Sequence, residues 1–505
     1  MSSKLWSATI VGLGAEIIEV EADSGGGELG TFSVVGLPDK AVSEARERVR
    51  SAIKNSGFNF PKLKVTINLA PAYIPKAGPG FDLPIAASIL LMGNLFSAQK
   101  LDQAILVGEL ALNGDVRAVN GILPIVIKAR EKGIKTIFVP EANASEAKII
   151  QNIKVIPVKG LRQLILHLQD KNIIPEVGLE KTSFVNKGTE NDMADIRGHE
   201  HAKRALEIAA AGNHNILLFG PPGSGKTLLA KTFPSIMPNL NLKEALEITK
   251  IYSVAGKLKE SGIITSRPFR SPHHSASHVA LVGGGTRPTP GEITLAHRGV
   301  LFLDEFPEFP RMALECLRQP LEEGNITISR AATSINFPAK FILISAMNPC
   351  PCGYLGDEKQ ACTCSNAQIY NYRKKVSGPI LDRIDMHLEV ARIDFDKLSS
   401  QRSSENSETI KKRVIIAKNV QKNRFSDEAF SNSEMNLEKI GKYCQLDSAS
   451  KSLLENAVNS LNLSSRGYFR TLKLARTIAD LDQRSVISSE HIAEALQYRN
   501  KEMFA

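Results

Sequence analysis

Cysteine, tryptophan and long apolar runs are all scarce in this chain of 505 residues. It carries six cysteines and one tryptophan. So few cysteines in so long a chain exclude a disulfide scaffold. The most apolar stretch, Leu83 to Met92, falls well short of the ~18 residues needed to span a bilayer, so no membrane is expected among the partners. Residues Met1 to Val11 lack a charged region followed by an apolar run and a small-residue cleavage site. The expected location is the cytoplasm. No internal repeat and no long low-complexity tract is found.

What remains is ordinary globular composition, with 43% hydrophobic and 23% charged residues. The length suits about two to four domains and a large buried core. A net charge of +10 and a pI near 9.1 lean toward a polyanionic partner such as nucleic acid, a weak signal taken alone.

Two polar stretches divide the chain. Residues 1–180 alternate short apolar strands, such as Val65 to Leu69 and Ile137 to Val139, with helical patterns such as Ala41 to Asn55. A polar linker, Lys181 to Asp192, follows. Residues 193–395 carry the phosphate-binding motifs. Ser399 to Ser407 reads as a second linker, and residues 408–505 are helical in pattern. They end in a helix capped near Ser489, with Ile492, Ala495 and Leu496 on one face.

Asn215 to Phe219 has the pattern of a short buried strand. It runs into Gly220, Pro221, Pro222, Gly223, Ser224, Gly225, Lys226 and Thr227, and a helical pattern follows. This is the strand–GxxxxGK[ST]–helix arrangement. Glycines let backbone N–H groups curl around phosphates, and a helix N-terminus adds positive potential. Lys226 is placed to reach the β- and γ-phosphates and Thr227 to ligate Mg²⁺, so ATP and Mg²⁺ are the expected cofactors. A second apolar strand, Val300 to Leu303, ends in Asp304 and Glu305. Asp304 suits the Mg²⁺ side of such a site, and Glu305 suits a general base that polarises the attacking water. A third strand, Phe341 to Ala346, ends near Asn348, whose amide can orient that water.

The order of P-loop, Asp-Glu strand and Asn strand resembles the AAA+ fold. Thr227 and Asp304 are 304 − 227 = 77 residues apart, leaving room for an insertion like that of the magnesium-chelatase and MCM branch. Arg267-Pro-Phe-Arg-Ser-Pro-His-His274, Ala280-Leu-Val-Gly-Gly-Gly285, Pro290-Gly-Glu-Ile-Thr-Leu-Ala-His297 and Gly378-Pro-Ile-Leu-Asp-Arg-Ile-Asp385 are similar to motifs of the ComM/YifB family of magnesium-chelatase-like ATPases. The resemblance covers essentially the whole chain. It implies an α/β AAA+ P-loop domain with a helical C-terminal lid, working as a homo-hexamer. Carried across position by position, Lys226 and Thr227 match Walker A, Asp304 and Glu305 match Walker B, and Asn348 matches sensor 1. Arg383 matches the arginine finger that enters a neighbouring subunit's site, where a planar cation meets γ-phosphate charge; Arg373 is the competing candidate. Arg466 matches sensor 2, with Arg470 the alternate.

Cys350 and Cys352, with Cys362 and Cys364, form two CxC pairs joined by a short glycine-containing loop. Four thiolates can close a tetrahedral site, and a structural Zn²⁺ is expected. Cys316 and Cys444 read as core residues. His273, His274 and His278 fall in the insertion, where contact with a ligand or a subunit surface is expected rather than a metal.

The first block resembles the proteolytic domain of Lon through Val107 to Arg117, Gly133 to Pro140 and Pro75 to Pro79. Lon uses a Ser–Lys dyad. The matching positions here hold Gly80 and Leu123, and the nearby Ser88 and Lys76 do not fit the motif. A Lon-like α+β domain without the dyad, and without peptidase activity, is expected. Arg46, Arg48, Arg50 and Lys54 form a basic helix that suits phosphates or simply solvent, since Glu44 and Glu47 interrupt it.

The family resemblance implies an ATP-dependent hexameric helicase. It would promote branch migration as transforming DNA is integrated, acting on single-stranded, forked or branched DNA alongside recombination proteins. Ile326 to Ile335 alternates like a hairpin, with Arg330 a candidate phosphate contact. The alternative is a chelatase ATPase subunit that drives Mg²⁺ or Co²⁺ into a tetrapyrrole. The Lon-like block argues against that reading.

Overall fold

The computed structural model describes residues 2–25, 30–178, 191–258, 262–285, 288–329, 334–357, 359–392, 405–426, 430–461 and 463–499. The chain forms two compact units. One comprises Met1–Phe184 with Leu242–Ile264, the other Val185–Asn241 with Thr265–Ala505.

In the first unit a seven-stranded sheet runs in the order Phe32–Val35, Lys64–Ala70, Gly14–Gly25, Ser2–Val11, Ala104–Leu106, Thr136–Pro140, Lys154–Val158. Ser2–Val11, Gly14–Gly25 and Lys64–Ala70 pair antiparallel. From Trp6 opposite Ile105 onward the pairing is parallel. Alternation decides which face is buried: Val65, Ile67 and Leu69 point into the core. Helix Lys40–Asn55 starts where the Asp39 carboxylate accepts from Val42 N at 2.8 Å. It buries Val42, Ala45, Val49, Ala52 and Ile53, a single helical stripe. The most apolar stretch of the sequence is helix Asp82–Met92, buried around nearly its whole circumference. Its apolarity belongs to a core helix.

Two expectations for this unit change in three dimensions. Arg48 turns inward onto Asp82, donating at 2.7 and 3.0 Å, and Arg50 donates to Gly30 O at 2.7 Å. Arg46 Nε also donates to Ser43 O at 3.2 Å, so three of the four cations on the basic helix have intramolecular partners. Helix Leu242–Val254, which lies in the same sequence block as the P-loop, folds with the first unit. Leu246 packs into the core around Ile122 and Ile125, and Ser253 O accepts from Gly121 N at 3.1 Å. The buried Glu146 carboxylate accepts from Leu123 N at 2.7 Å, from the Ser253 hydroxyl and from Asn143. A buried carboxylate needs such donors, and helix Leu242–Val254 supplies one of them.

The second unit is built on a five-stranded parallel sheet in the order Phe269–Arg270, Val300–Leu303, Ile342–Met347, Ile216–Phe219, Met386–Glu389. Three of these strands are buried at every residue, which is why they read as unbroken apolar runs. Helices Glu200–Gly212, Ser407–Phe425, Ser465–Leu481 and Ser489–Gln497 share one core with this sheet. The last helix is capped by Ser488, one residue before the expected Ser489, in a box closed by His491. Asn325–Ser329 pairs antiparallel with Ser334–Pro338, the expected hairpin; Arg330 lies outside the described residues. Among the described residues no helix is long and apolar enough to cross a membrane.

Candidate active site

Strand Ile216–Phe219 delivers the chain to the glycine loop, and helix Lys226–Thr232 leaves it. Gly220 has φ +156°, and a Cβ there would lie 2.1 Å from Val390 O. Gly225 caps the helix at φ +88°. Side chains at these points would fill the cradle or strain it. Lys226 folds back over the loop and is nearly buried. Its amine donates to Gly220 O at 2.7 Å, to Pro221 O at 2.9 Å and to Asn348 Oδ1 at 3.3 Å. Burial pushes the amine down to about 8, against the opposing charge of Asp304.

The acidic strand lies one strand removed from the P-loop strand, with the asparagine strand between them. That order brings three expected groups together. Thr227 Oγ1 donates to Asp304 Oδ2 at 2.8 Å, and Asp304 Oδ1 accepts from Glu305 N at 2.9 Å. Two oxygens converging beside the amine of Lys226 and the amide of Asn348 fit a hydrated Mg²⁺ and a triphosphate. Glu305 has φ +51°, in the left-handed region. Such backbone costs of order 1–3 kcal/mol and recurs at functional positions.

His274 Nδ1 lies 2.7 Å from Glu305 Oε2, and its ring stands 4.1 Å from that of His273. Sequence reasoning missed this partner. A signal existed: the His-His pair follows strand Phe269–Arg270, which pairs directly with the strand ending at Asp304.

The arginines divide. Arg470 is bound to the buried Asp385, which also accepts from Asn215 N at 3.0 Å. Burial alone would raise the Asp385 carboxyl. Arg470, His214 and the Asn215 N–H outweigh it and hold the group well below the usual carboxylate range. Arg470 is therefore committed to a buried ion pair, whereas Arg466, with its side chain 54% exposed, pairs with Glu322 Oε1 at 3.1 Å. Arg383 is 7% exposed. Arg373 donates to Pro349 O at 3.4 Å and lines an open cleft with Arg311, Lys374 and Tyr370.

Cys350, Cys352, Cys362 and Cys364 offer sulfurs that all lie within 4.8 Å of one another, and among the described residues they are the one cluster of three or more His, Cys, Asp or Glu side chains able to hold a metal. Three Sγ–Sγ separations are 3.3, 3.6 and 3.6 Å, close to the ~3.8 Å edge of a tetrahedron with ~2.3 Å Zn–S bonds. Within the cluster the thiols are pushed apart: N–H groups of Tyr354 and Thr363 pull Cys352 down to about 5, while desolvation and the neighbouring sulfurs push Cys362 and Cys364 up. The loop also packs on the nucleotide loop: a Cβ at Gly353 would lie 2.7 Å from Pro222 Cδ and 3.8 Å from Asn348 Cγ. Cys350 follows Asn348 by two residues, so the sequence already places this loop beside the nucleotide site.

In the first unit Gly80 lies in the short helix Pro79–Phe81 and Leu123 in helix Ile122–Glu131. Ser88 donates to Ile85 O at 2.9 Å, and the buried Lys76 amine donates to Pro71 O. Each bonds a backbone carbonyl rather than the other.

A parallel sheet in this order, with a glycine loop, a Thr–Asp pair and an asparagine beside the lysine, defines a P-loop ATPase of the AAA+ type. Comparison with known proteins narrows the class. The family described as magnesium chelatase, subunit ChlI, matches residues 192–398, with companion matches to subunit ChlI of Mg-chelatase at 18–143 and to the ChlI C-terminal domain at 404–499. Competence protein ComM of Haemophilus influenzae is 42% identical over 500 residues, covering 98% of this chain and 97% of that protein. YifB of Escherichia coli is 43% identical over 491 residues, covering 97% and 95%. A Lon protease of Rickettsia typhi is 26% identical over 166 residues, 31% of this chain and 21% of that protein. The chain belongs to the ComM/YifB family of magnesium-chelatase-like ATPases.

Proposed function

We propose that this protein is an ATP-driven DNA motor, a homo-hexameric helicase that moves strand junctions during integration of transforming DNA and homologous recombination. The observation that carries the reading is end-to-end similarity to a competence protein, supported by a glycine loop whose Lys226 and Thr227 contact Asn348 and Asp304. Lys226 binds the β- and γ-phosphates. Thr227 and Asp304 hold Mg²⁺, which offsets the charge that develops on the transferring phosphoryl group. Glu305 takes the proton of the attacking water, and Asn348 orients that water. Arg383 acts as the arginine finger on the neighbouring subunit's γ-phosphate, and Arg466 serves as sensor 2. The four cysteines hold Zn²⁺ as a structural clamp. Gly80 and Leu123 leave the Lon-like unit without a nucleophile and base, so it serves assembly or DNA contact.

The match to the magnesium-chelatase subunit family over residues 192–398 favours a second reading, a chelatase-like ATPase subunit. The expectation that the Lon-like first block weighs against it falls, because the match to subunit ChlI of Mg-chelatase covers residues 18–143. ATPase assays with and without single-stranded, duplex and forked DNA separate the two. A motor binds DNA with little sequence preference and a steep loss of affinity with salt, and DNA stimulates its turnover. Glu305→Gln binds ATP and barely turns over. Absence of both DNA binding and stimulation at low salt refutes the motor.

A further inference from the structure

Arg383 and Arg466 are 83 residues apart in sequence (466 − 383), yet they end on one atom. Arg383 Nη2 lies 2.8 Å from Glu322 Oε1, and Arg466 Nη2 lies 3.1 Å from the same oxygen. Arg383 is fixed further by donating from Nη1 to Pro379 O at 2.8 Å, and its Nε has no hydrogen-bond partner among the described residues. Glu322 stands at the end of helix Arg318–Glu323, just ahead of the hairpin strand Asn325–Ser329.

We propose that Glu322 is a positioning residue that gathers Arg383 and Arg466 into one guanidinium pair, the half-site that each subunit offers to its neighbour's γ-phosphate. The proposal rests on the reading of Arg383 as the finger that acts in trans; Arg466 joins it because both guanidinium groups meet the same Glu322 oxygen. Two adjacent guanidinium groups repel, and a solvated arginine carries ~2 kcal/mol of rotamer entropy. A carboxylate oxygen between them removes the repulsion and holds the exposed Arg466 beside the buried Arg383. The γ-phosphate carries more negative charge than a carboxylate and has three acceptor oxygens, so the pair moves from Glu322 onto phosphate when a neighbour docks. Glu322 itself never touches the nucleotide.

Subunit mixing tests this. Glu322→Ala and the isosteric Glu322→Gln should each lower kcat for ATP about tenfold, with less than about a twofold change in KM, because each subunit's own P-loop is intact. A general loss of structure would also lower kcat, but mixing distinguishes it. In rings mixed with inactive Glu305→Gln subunits, an intact Glu305 site of the Glu322 variant meets an intact arginine pair from its neighbour, and ATPase should recover. Wild-type kcat in both Glu322 variants overturns the proposal. So does a mixture that stays inactive while the parallel Arg383→Ala and Glu305→Gln mixture recovers. If that parallel mixture also stays inactive, the trans reading fails and the proposal falls with it.

Discussion

Arg470 and Arg466 lie one helical turn apart on Ser465–Leu481, and replacing each with alanine should produce opposite phenotypes. Arg470 is the cation of a buried cluster. Its guanidinium contacts Asp385, whose side chain is 3% exposed and which also accepts the Asn215 N–H at the foot of the P-loop strand. Removing one partner of a buried pair costs about 3–5 kcal/mol, because the remaining charge stays desolvated. In a unit of this size that corresponds to a fall in Tm of roughly 5–8 °C. The pH dependence has a definite sign. The folded Asp385 carboxyl lies below its ordinary value, so its stabilising contribution is present above the unfolded carboxylate pKa and is lost as pH falls through the folded one. The gap in Tm between wild type and Arg470→Ala should therefore be widest near neutrality and narrow below about pH 4. Arg466 is half exposed on Glu322, and its loss should move stability by less than about 1 kcal/mol while lowering kcat. Calorimetry from pH 3.5 to 8 beside a steady-state ATPase assay reads both. An Arg470→Ala protein with wild-type melting and lost turnover would refute the assignment and restore Arg470 as sensor 2.

Further outcomes follow from the same geometry. Protein purified without chelator should hold about one zinc per chain by metal analysis; Cys350→Ser with Cys352→Ser should lose it. The same variant should bind ATP more weakly, since the cysteine loop rests on Pro222. His274→Ala frees the Glu305 carboxylate from a 2.7 Å partner. Basal ATPase should rise about fivefold, the equivalent of one net hydrogen bond of ~1 kcal/mol. An unchanged basal rate would mean that the contact does not restrain the base.

Some of this molecule could be read from its sequence because the chemistry is local. Gly220 to Thr227 must be contiguous to wrap a phosphate, and the turn it makes needs glycine where φ is positive or a carbonyl comes within 2.1 Å. Buried parallel strands announce themselves as apolar runs, so Ile216–Phe219, Val300–Leu303 and Ile342–Met347 were legible within a residue or so at each end. The CxC pairs were legible for the same reason. Helix Leu242–Val254 was not. Its periodicity fixes a helix, but the surface that buries its apolar face belongs to residues more than a hundred positions earlier, around Ile122 and Glu146. Choosing between Arg466 and Arg470 was equally beyond composition and spacing. Both are arginines near the start of one helix, and only the packed sheet shows that one reaches a buried aspartate and the other a half-exposed glutamate. His274 and Glu322 owe their places to strand order and to helix ends meeting in space. Local backbone geometry is written residue by residue. Charge pairing between distant segments is set by where the sheet and helices bring them, so the tertiary structure alone decided which cation each carboxylate would hold.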